Sequence, residues 1–438
     1  MICIILCLLL TVNGIFIKNK DFTKGIKYNL PLKDQKIVNK INGFFGNIGP
    51  DIHYNNSSFY DLIAGNGNIQ SIFFDNGKLT FVKHLIKTEK VLFEEKNGII
   101  PNKKIIKQIF TIFSKLKLIP DVSGLANTAL LNIKNKLYAL YERDRPYSID
   151  IDFINQKINT INKINLPINH FSAHSKFKDI IETIDCDLFS NSVSIYQLTS
   201  NFNIINTKKI KLNYLPFIHD FWSNNNKICF FDCPTTLRLS KILVDHLPIY
   251  LDKTKNTIIN IYDRNEDKIY KYYTNESFYM FHFAKLIEDK NSITIYASHY
   301  DDFNFNNINI SGKYRKIVIN KNTGMVKIEK NPILENYSLD FPVSFENKIL
   351  FPNMKNNSFV ICKDLHIIKE IKLNELSICG EPVIYYIYKT PYILSFAFDK
   401  IKNYLLIINI NNNKIIKIPL NLELTFGFHS IFLNKISS

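Results

Sequence analysis

The chain has 438 residues, of which 46% are hydrophobic, and it contains 34 Phe and 23 Tyr. This composition excludes a disordered chain and predicts a large core of residues that favour β-strands. The formal net charge of +16 would suit an anionic partner, but the basic residues are scattered and no nucleic-acid-binding module is present, so we expect no nucleic-acid partner and keep a membrane surface as a candidate.

The N-terminus carries an apolar run from Ile2 to Val12. This run is too short to span a bilayer comfortably, and it resembles the apolar core of a signal peptide without the usual basic residues before it. Residues 1–14 are therefore interpreted as a signal peptide or an apolar N-terminal segment. A cleaved signal, a membrane anchor and a buried first strand all stay open, and so does the choice between a cytoplasmic and a secretory compartment.

From about residue 40 onward, short β-type runs alternate with turns rich in Asn, Gly, Asp and Pro. The segments Asp75 to Gly77, Lys134 to Lys136 and Lys321 to Gly324 lie between alternating apolar runs, which predicts β-hairpin turns. Hairpins repeated over so long a chain favour an all-β fold of the β-propeller type, because a propeller leaves no long unpaired strand edge.

One segment, from Lys104 to Leu116, departs from the β pattern and predicts a basic amphipathic helix. Two interpretations stay open for it. It packs on the propeller as a surface helix, or it lies in a membrane interface where its lysines meet anionic headgroups. Its apolar face comprises Ile105, Ile106, Ile109, Phe110, Ile112, Phe113 and Leu116.

Four histidines, His174, His219, His282 and His429, occur in aromatic or apolar strand-like segments. Taken alone, His282 is interpreted as a hydrogen-bonded core residue, which shares one face of a regular strand with Met280 under period-2 alternation. The four are 45, 63 and 147 residues apart, which is too far for a local metal-binding loop. Strands from different blades of a propeller converge on its axis, however, where four imidazoles could meet one metal.

The order of several motifs resembles the carotenoid cleavage oxygenase family, which also includes retinoid isomerases and lignostilbene dioxygenases. The resemblance covers nearly the whole chain after residue 40, and residues 15–438 are interpreted as a single domain. It implies a seven-bladed β-propeller with a dome of loops and helices over the metal-bearing face. It implies that His174, His219, His282 and His429 bind Fe(II). The motifs are, in chain order, "KINGFFGNIGP", "AGNGN", "IKTEK", "YALYERDRPYSID", "FSAHSK", "PFIHDF", "FYMFHFAKLIED", "CGEPVIY" and "GFHSIFL".

The resemblance also implies that three acids, Glu142, Asp340 and Glu381, accept hydrogen bonds from metal-bound histidines. The family pattern pairs them with His219, His282 and His429 respectively, and it leaves His174 without a carboxylate. Such carboxylates fix the tautomer and the direction of a metal-binding imidazole. Asp340 stands where the family usually has Glu. Its side chain is one methylene shorter, so the expected bond to His282 is longer, mediated by water, or absent.

The activity implied by the resemblance is cleavage of a conjugated carbon–carbon double bond of a carotenoid or apocarotenoid by O2, giving two carbonyl products. Two alternatives stay open, a retinoid isomerohydrolase using the same iron site and an inactive propeller scaffold. Peripheral membrane association through the Lys104 to Leu116 helix is expected, and the oligomeric state is open. The residues expected to line an aromatic substrate tunnel, each with core packing as an equal alternative, are Phe171, Phe217, Trp222, Phe281 and Phe428.

Overall fold

The computed structural model describes residues 21–51, 64–100, 104–241, 248–302 and 311–435. The predicted N-terminal segment 1–14 lies outside the described residues. Over the described ranges the chain is mostly β-strand, with seven sheets of four or five strands and one additional two-stranded hairpin. The seven sheets are the blades of a propeller, which confirms the predicted all-β fold class.

The first strands in chain order are β1 (Phe22–Ile26), β2 (Gly43–Pro50), β3 (Gly67–Asp75), β4 (Lys78–Leu85), β5 (Ala129–Ile133), β6 (Lys136–Leu140), β7 (Tyr147–Asp152), β8 (Lys157–Lys163), β9 (Lys176–Phe177), β10 (Ile181–Asp187), β11 (Ser192–Leu198), β12 (Ile204–Lys211), β13 (Trp222–Ser223), β14 (Lys227–Asp232), β15 (Thr235–Leu237) and β16 (Ile249–Leu251). The later strands are β17 (Ile258–Asp263), β18 (Lys268–Tyr273), β19 (Tyr279–Glu288), β20 (Ser292–Tyr300), β21 (Lys313–Asn320), β22 (Val326–Glu329), β23 (Val343–Phe345), β24 (Lys348–Asn353), β25 (Ser358–Lys363), β26 (His366–Lys372), β27 (Ser377–Ile387), β28 (Thr390–Phe398), β29 (Asn403–Asn409), β30 (Ile415–Leu420) and β31 (Ser430–Asn434). The described helices are α1 (Leu32–Val38), α2 (Glu89–Asn97) and α3 (Lys104–Lys115).

Blade 1 closes the ring. Its strand order is β31-β2-β3-β4-β1, so that the last strand of the chain pairs with one of the first, with Gly43 opposite Asn434 and Asn47 opposite Ser430. Blades 2 to 7 are β5 to β8, β9 to β12, β13-β14-β17-β18, β19 to β22, β23 to β26 and β27 to β30. The hairpin β15-β16 is inserted into blade 4.

The predicted hairpin turns are confirmed. Asn76 (φ 50°) and Gly77 (φ 85°) join β3 to β4, and Lys134 (φ 49°) and Asn135 (φ 66°) join β5 to β6. Two consecutive residues with positive φ make the turn whose twist matches that of the paired strands. The segment that contains Gly324 joins β21 to β22 in a longer turn, in which Gly324 (φ 72°) has positive φ.

The innermost strand of each blade starts at one face of the ring and runs away from it. Because successive strands are antiparallel, the connections between blades and the β14-β17 insertion lie at the face where the inner strands start. Helices α2 and α3, between β4 and β5, and the β15-β16 hairpin therefore cover that face as a dome. The Thr88 hydroxyl caps α2 by accepting a hydrogen bond from the Val91 backbone N–H.

Helix α3 confirms the predicted helix and divides its apolar residues between two environments. Ile106 and Phe110 pack inward against a small cluster that includes Ile100 and Val122. Ile109 and Ile112 are exposed, and 55% of Ile112 is accessible to solvent. None of the described helices has the length and apolar character needed to cross a membrane.

Candidate metal centre

The structure brings the four predicted histidines together on the propeller axis. His174 and His219 lie just before β9 and β13, His282 lies within β19, and His429 immediately precedes β31. Each therefore stands near the start of an innermost strand, in blades 3, 4, 5 and 1. One ring nitrogen of each histidine lies within 4.8 Å of the corresponding atoms of the others.

Three of the four imidazoles are held by carboxylates from other blades. His219 Nδ1 lies 2.8 Å from Glu142 Oε1, His282 Nδ1 lies 2.8 Å from Asp340 Oδ1, and His429 Nδ1 lies 3.2 Å from Glu381 Oε2. A carboxylate accepts, so Nδ1 carries the proton in each pair and Nε2 keeps its lone pair. The three pairs are those expected from the sequence.

The shorter side chain of Asp340 does not lengthen its bond to His282. The contact is direct at 2.8 Å, and neither the longer nor the water-mediated arrangement is found. The segment carrying Asp340 approaches blade 5 closely, because the Leu339 backbone N–H donates to the Gly312 carbonyl at 2.9 Å. This main-chain hydrogen bond ties the segment that carries Asp340 to blade 5.

The donor set fits a bound metal. His282 Nε2 is buried, and no hydrogen-bond partner for it exists among the described residues. A buried nitrogen lone pair without a partner is costly unless a ligand satisfies it. His174 Nε2 and His219 Nε2 are 3.0 Å apart, close to the separation of roughly 3 Å for two nitrogens at right angles around one metal at bond lengths of about 2.1 Å.

Burial and neighbouring charges shift the pKa values of three of these histidines, and not all in the same direction. Burial, reinforced by the adjacent imidazoles, lowers the pKa of His174 well below its ordinary value. Burial also lowers the pKa of His282, although Asp340 opposes the shift. For His219 burial acts in the same direction, but the hydrogen bond and charge of Glu142 outweigh it and raise the pKa. Neutral imidazole is the form that binds metals.

Irregular strand pairing occurs at two places that carry site residues. The pairing of β19 with β20 shifts register on both sides of Phe283, and the pairing of β27 with β28 shifts between Cys379 and Val383. His282 and Glu381 lie in these irregular stretches. The regular alternation expected for the strand around His282 is therefore wrong, because a bulge re-aims a side chain that pleating alone would direct elsewhere.

The main chain before His429 is clamped between two blades. Its neighbour Phe428 donates its backbone N–H to the Ile48 carbonyl at 2.7 Å, and Ile48 donates to the His429 carbonyl at 2.9 Å. From blade 7, the Glu381 backbone N–H donates to the Phe428 carbonyl at 2.7 Å. This ladder holds the fourth histidine at the point where the ring closes.

The five predicted tunnel residues lie in different surroundings. Phe281 packs against His219 with ring centroids 5.2 Å apart. Phe217 packs against Tyr279, and Trp222 is partly buried against the core cluster that contains Tyr279. The ring of Phe428 meets that of Phe426 edge to face. Phe171 is completely buried in the core cluster between blades 2 and 3.

Sequence reasoning did not single out Phe341 or Tyr300. The Phe341 ring lies 5.0 Å from that of His282 and 5.2 Å from that of His429, and its φ of 52° is a conformation that bulky residues rarely adopt. Its position next to Asp340 was a usable signal. Nothing local marks Tyr300, whose hydroxyl donates to Asp340 Oδ2 at 2.5 Å.

Fold and site together define a β-propeller whose axis carries a four-histidine candidate metal centre supported by three carboxylates. The family model described as retinal pigment epithelial membrane protein matches residues 36–353. The chain therefore belongs to this family, that of the carotenoid cleavage oxygenases.

Curated relatives have modest identity to the chain. Carotenoid 9,10(9',10')-cleavage dioxygenase 1 of Arabidopsis thaliana is 25% identical over 307 residues, which cover 65% of this chain and 56% of that protein. The protein of the same name from Pisum sativum is 25% identical over 365 residues, covering 75% and 65%. Isoeugenol monooxygenase of Pseudomonas putida is 23% identical over 275 residues, covering 59% and 55%. The chain thus spans less than two thirds of the length of these relatives.

Solved structures share the fold over nearly the whole chain. A variant of the Synechocystis apocarotenoid oxygenase superposes with a TM-score of 0.76 at 14% identity, covering 95% of this chain and 97% of that one. The cobalt-substituted form of the Synechocystis protein superposes with a TM-score of 0.75 at 16% identity and the same coverage. Because the sequence identities are only 14% and 16%, the similarity to these structures establishes the fold alone.

Proposed function

We propose that this protein is a non-haem Fe(II) dioxygenase that cleaves a conjugated carbon–carbon double bond of a carotenoid or apocarotenoid with O2 and gives two carbonyl products. The observation that carries the proposal is the convergence of four imidazole nitrogens within 4.8 Å at the propeller axis. A donor set of four neutral imidazoles suits Fe(II), and its lack of a directly coordinating carboxylate distinguishes it from the facial-triad oxygenases.

His174, His219, His282 and His429 would hold the metal, which when bound supplies the chemistry that lets O2 react with an alkene. Both oxygen atoms enter the two carbonyl products, so the reaction needs no external reductant. Glu142, the first of the three carboxylates, keeps the proton of its imidazole on Nδ1 and thereby keeps Nε2 directed at the axis.

Two aromatic rings border the histidines and give the site an apolar rim. Phe281 lies against His219, and Phe341 lies against His282 and His429. Apolar walls align a rigid polyene and exclude water from the reacting bond. The names of relatives support this class of substrate, since carotenoid cleavage dioxygenases and an apocarotenoid oxygenase are among them.

The proposal is tested by metal analysis and product analysis together. The purified protein should carry about one iron per chain, and His219→Ala should lose it. Incubation with a panel of carotenoids, apocarotenoids, stilbenes and isoeugenol under labelled O2 should give two carbonyl products, each with one labelled oxygen. Isomerised or hydrolysed products without label would favour an isomerohydrolase, and reduced protein that binds no iron would favour a scaffold.

We also propose that the protein associates peripherally with membranes through the dome. Ile109, Ile112 and Leu116 of the α3 region expose apolar side chains, and Leu92 of the neighbouring α2 does the same. Exposed apolar residues on a basic amphipathic helix suit an interface with anionic lipid, which is also where a polyene substrate dissolves. The net charge of +16 adds a favourable long-range attraction to such a surface.

The membrane proposal is tested by flotation with vesicles that contain anionic lipid, whose negative surface potential attracts basic segments. The double variant Ile109→Asp/Ile112→Asp should stay with the soluble fraction and keep its iron. Phe110 is not substituted, because it is buried. The matched control Ile154→Asp/Met325→Asp changes two exposed apolar residues on turns at the opposite face and should float like the parent. Equal flotation of both double variants would contradict the proposal.

A further inference from the structure

The Asp340 carboxylate has two partners, one on each oxygen. Its Oδ1 accepts the hydrogen bond from His282 Nδ1 at 2.8 Å, and its Oδ2 accepts the hydrogen bond from the Tyr300 hydroxyl at 2.5 Å. Tyr300 is the last residue of β20, directly across the hairpin from Tyr279 at the start of the strand that carries His282. The tyrosine and the histidine therefore approach one carboxylate from the same blade.

Tyr300 is itself rigidly placed. It is 5% exposed, and its ring meets Phe281 edge to face with centroids 4.8 Å apart. Burial and the nearby Asp340 raise the pKa of Tyr300 well above its ordinary value, so the hydroxyl is a proton donor at neutral pH. A short hydrogen bond from a neutral donor to a carboxylate is one of the stronger kinds in proteins.

Gly312 provides the space for this arrangement. A Cβ atom at this position would lie 2.6 Å from the Leu339 carbonyl oxygen and 3.0 Å from the Tyr300 hydroxyl. The Gly312 carbonyl in turn accepts the Leu339 N–H. Blade 5 thus fixes both the main chain beside Asp340 and the tyrosine that contacts its side chain.

The other two carboxylates have weaker second contacts. The Thr128 hydroxyl reaches Glu142 Oε2 at 3.5 Å, and the Ser430 backbone N–H reaches Glu381 Oε2 at 3.0 Å. A carboxylate bonded through one oxygen can still turn about its last torsion, whereas one bonded through both oxygens in different directions cannot. Asp340 is the carboxylate whose plane is most completely fixed.

We propose that Tyr300 is a positioning residue that fixes the Asp340 carboxylate and, through it, the tautomer and direction of His282 toward a bound metal. This inference rests on the proposed function only in assuming that the four histidines hold a metal. Tyr300 acts through Asp340 and is assigned no contact with the reacting atoms. Loss of its hydroxyl should therefore loosen metal binding without removing a ligand.

The test measures Co(II) binding, because cobalt reports its coordination through its visible absorption bands. Tyr300→Phe should weaken Co(II) binding about 10-fold, at the lower end of the range for partners of metal-binding histidines, and should alter the absorption bands. Tyr314→Phe is the matched control. Tyr314 is fully buried in the adjacent β21, and its hydroxyl has no hydrogen-bond partner in the described part of the chain. The control should leave affinity and spectrum unchanged.

A compensating variant separates positioning from a general loss of packing. In Tyr300→Phe/Asp340→Glu, the longer side chain extends into the space left by the hydroxyl and should recover most of the cobalt affinity. Unchanged binding and spectrum in Tyr300→Phe would overturn the proposal, and so would a loss that the glutamate does not recover. Either result leaves the proposed function standing as long as the parent binds one cobalt per chain and His282→Ala abolishes it. A parent that binds no cobalt overturns both.

Discussion

Glu142 accepts a hydrogen bond from His219, with 2.8 Å between Glu142 Oε1 and His219 Nδ1. Glu142 follows β6 in blade 2 and His219 precedes β13 in blade 4, so the contact joins two blades that are not neighbours. Partial burial opposes ionisation of Glu142, but the hydrogen bond and charge of His219 outweigh it and lower the pKa of Glu142, which keeps the carboxylate ionised. This side-chain pair thus links blade 2 to blade 4 beside the four histidines.

Glu142→Gln should weaken metal binding about 10-fold to 100-fold while leaving the fold intact, because an uncharged amide polarises and orients the imidazole less strongly. Competition of iron or cobalt binding against a chelator measures the effect. Glu346→Gln, at an exposed turn residue paired with Lys348, serves as the control and should bind metal like the parent. Equal affinities for the two variants would contradict the assigned role of Glu142.

Gly49→Ala should lower stability by more than about 2 kcal/mol and reduce metal content. A Cβ atom at Gly49 would collide with the carbonyl oxygen of Phe426, in the segment that leads to His429. The clash involves main chain on both sides, so a side-chain rotation cannot relieve it. Gly25→Ala is the control, since a Cβ atom there meets nothing within 4 Å. Denaturant unfolding and metal analysis of both variants test the prediction.

Phe171→Ala and Phe281→Ala should separate a core residue from a site residue. Phe171 is fully buried, so Phe171→Ala should lower the free energy of unfolding by about 3 to 5 kcal/mol, which is typical of a large cavity in a core. Phe281 is only partly buried and lies beside His219, so its truncation should cost less stability and change KM or the product pattern. Unfolding free energies and product analysis of the two variants decide the matter. A larger stability loss for Phe281→Ala would contradict the assignment.

Asp232→Asn should stabilise the protein above pH 6 and have little effect near pH 4. Burial raises the pKa of Asp232 to about 6, and its Oδ1 has no hydrogen-bond partner among the described residues. The folded state therefore binds this proton more tightly than the unfolded chain, and the stability gained from protonation is lost as pH rises through about 6. A neutral amide avoids that loss, which is worth about 1 to 3 kcal/mol at pH 8.

A matched variant, Asp289→Asn, should change the stability of the protein in the opposite direction. Hydrogen bonds from Ser292 and the nearby backbone lower the pKa of the exposed Asp289, so its ionised form stabilises the fold above the ordinary pKa of aspartate. Asp289→Asn should therefore weaken the protein at neutral pH and not in acid. Unfolding free energies measured between about pH 2 and pH 8.5 compare the two variants on both sides of the ordinary pKa of aspartate and of the raised pKa of Asp232. If the unfolding free energies of the two variants depended on pH in the same way, the opposite pKa shifts of Asp232 and Asp289 would be contradicted.

Local chemistry in the sequence determined the hairpins and the helix of this protein. Asn76 and Gly77 adopt positive φ because few other residues do so at low cost, and the turn requires nothing from distant parts of the chain. The apolar spacing from Lys104 to Leu116 likewise needs only its own period to predict α3. The order of the four histidines and three acids was also readable, through the family pattern they resemble.

Only the tertiary structure decided which groups meet and how closely. The axis forms when β31 pairs with β2, so the distance between His282 and His429 depends on ring closure between segments some 390 residues apart. The direct bond of Asp340, the contact of Tyr300 with it and the burial of Phe110 depend on how distant segments pack together. These features arise from packing between blades, where a shift of about one ångström makes or breaks a hydrogen bond.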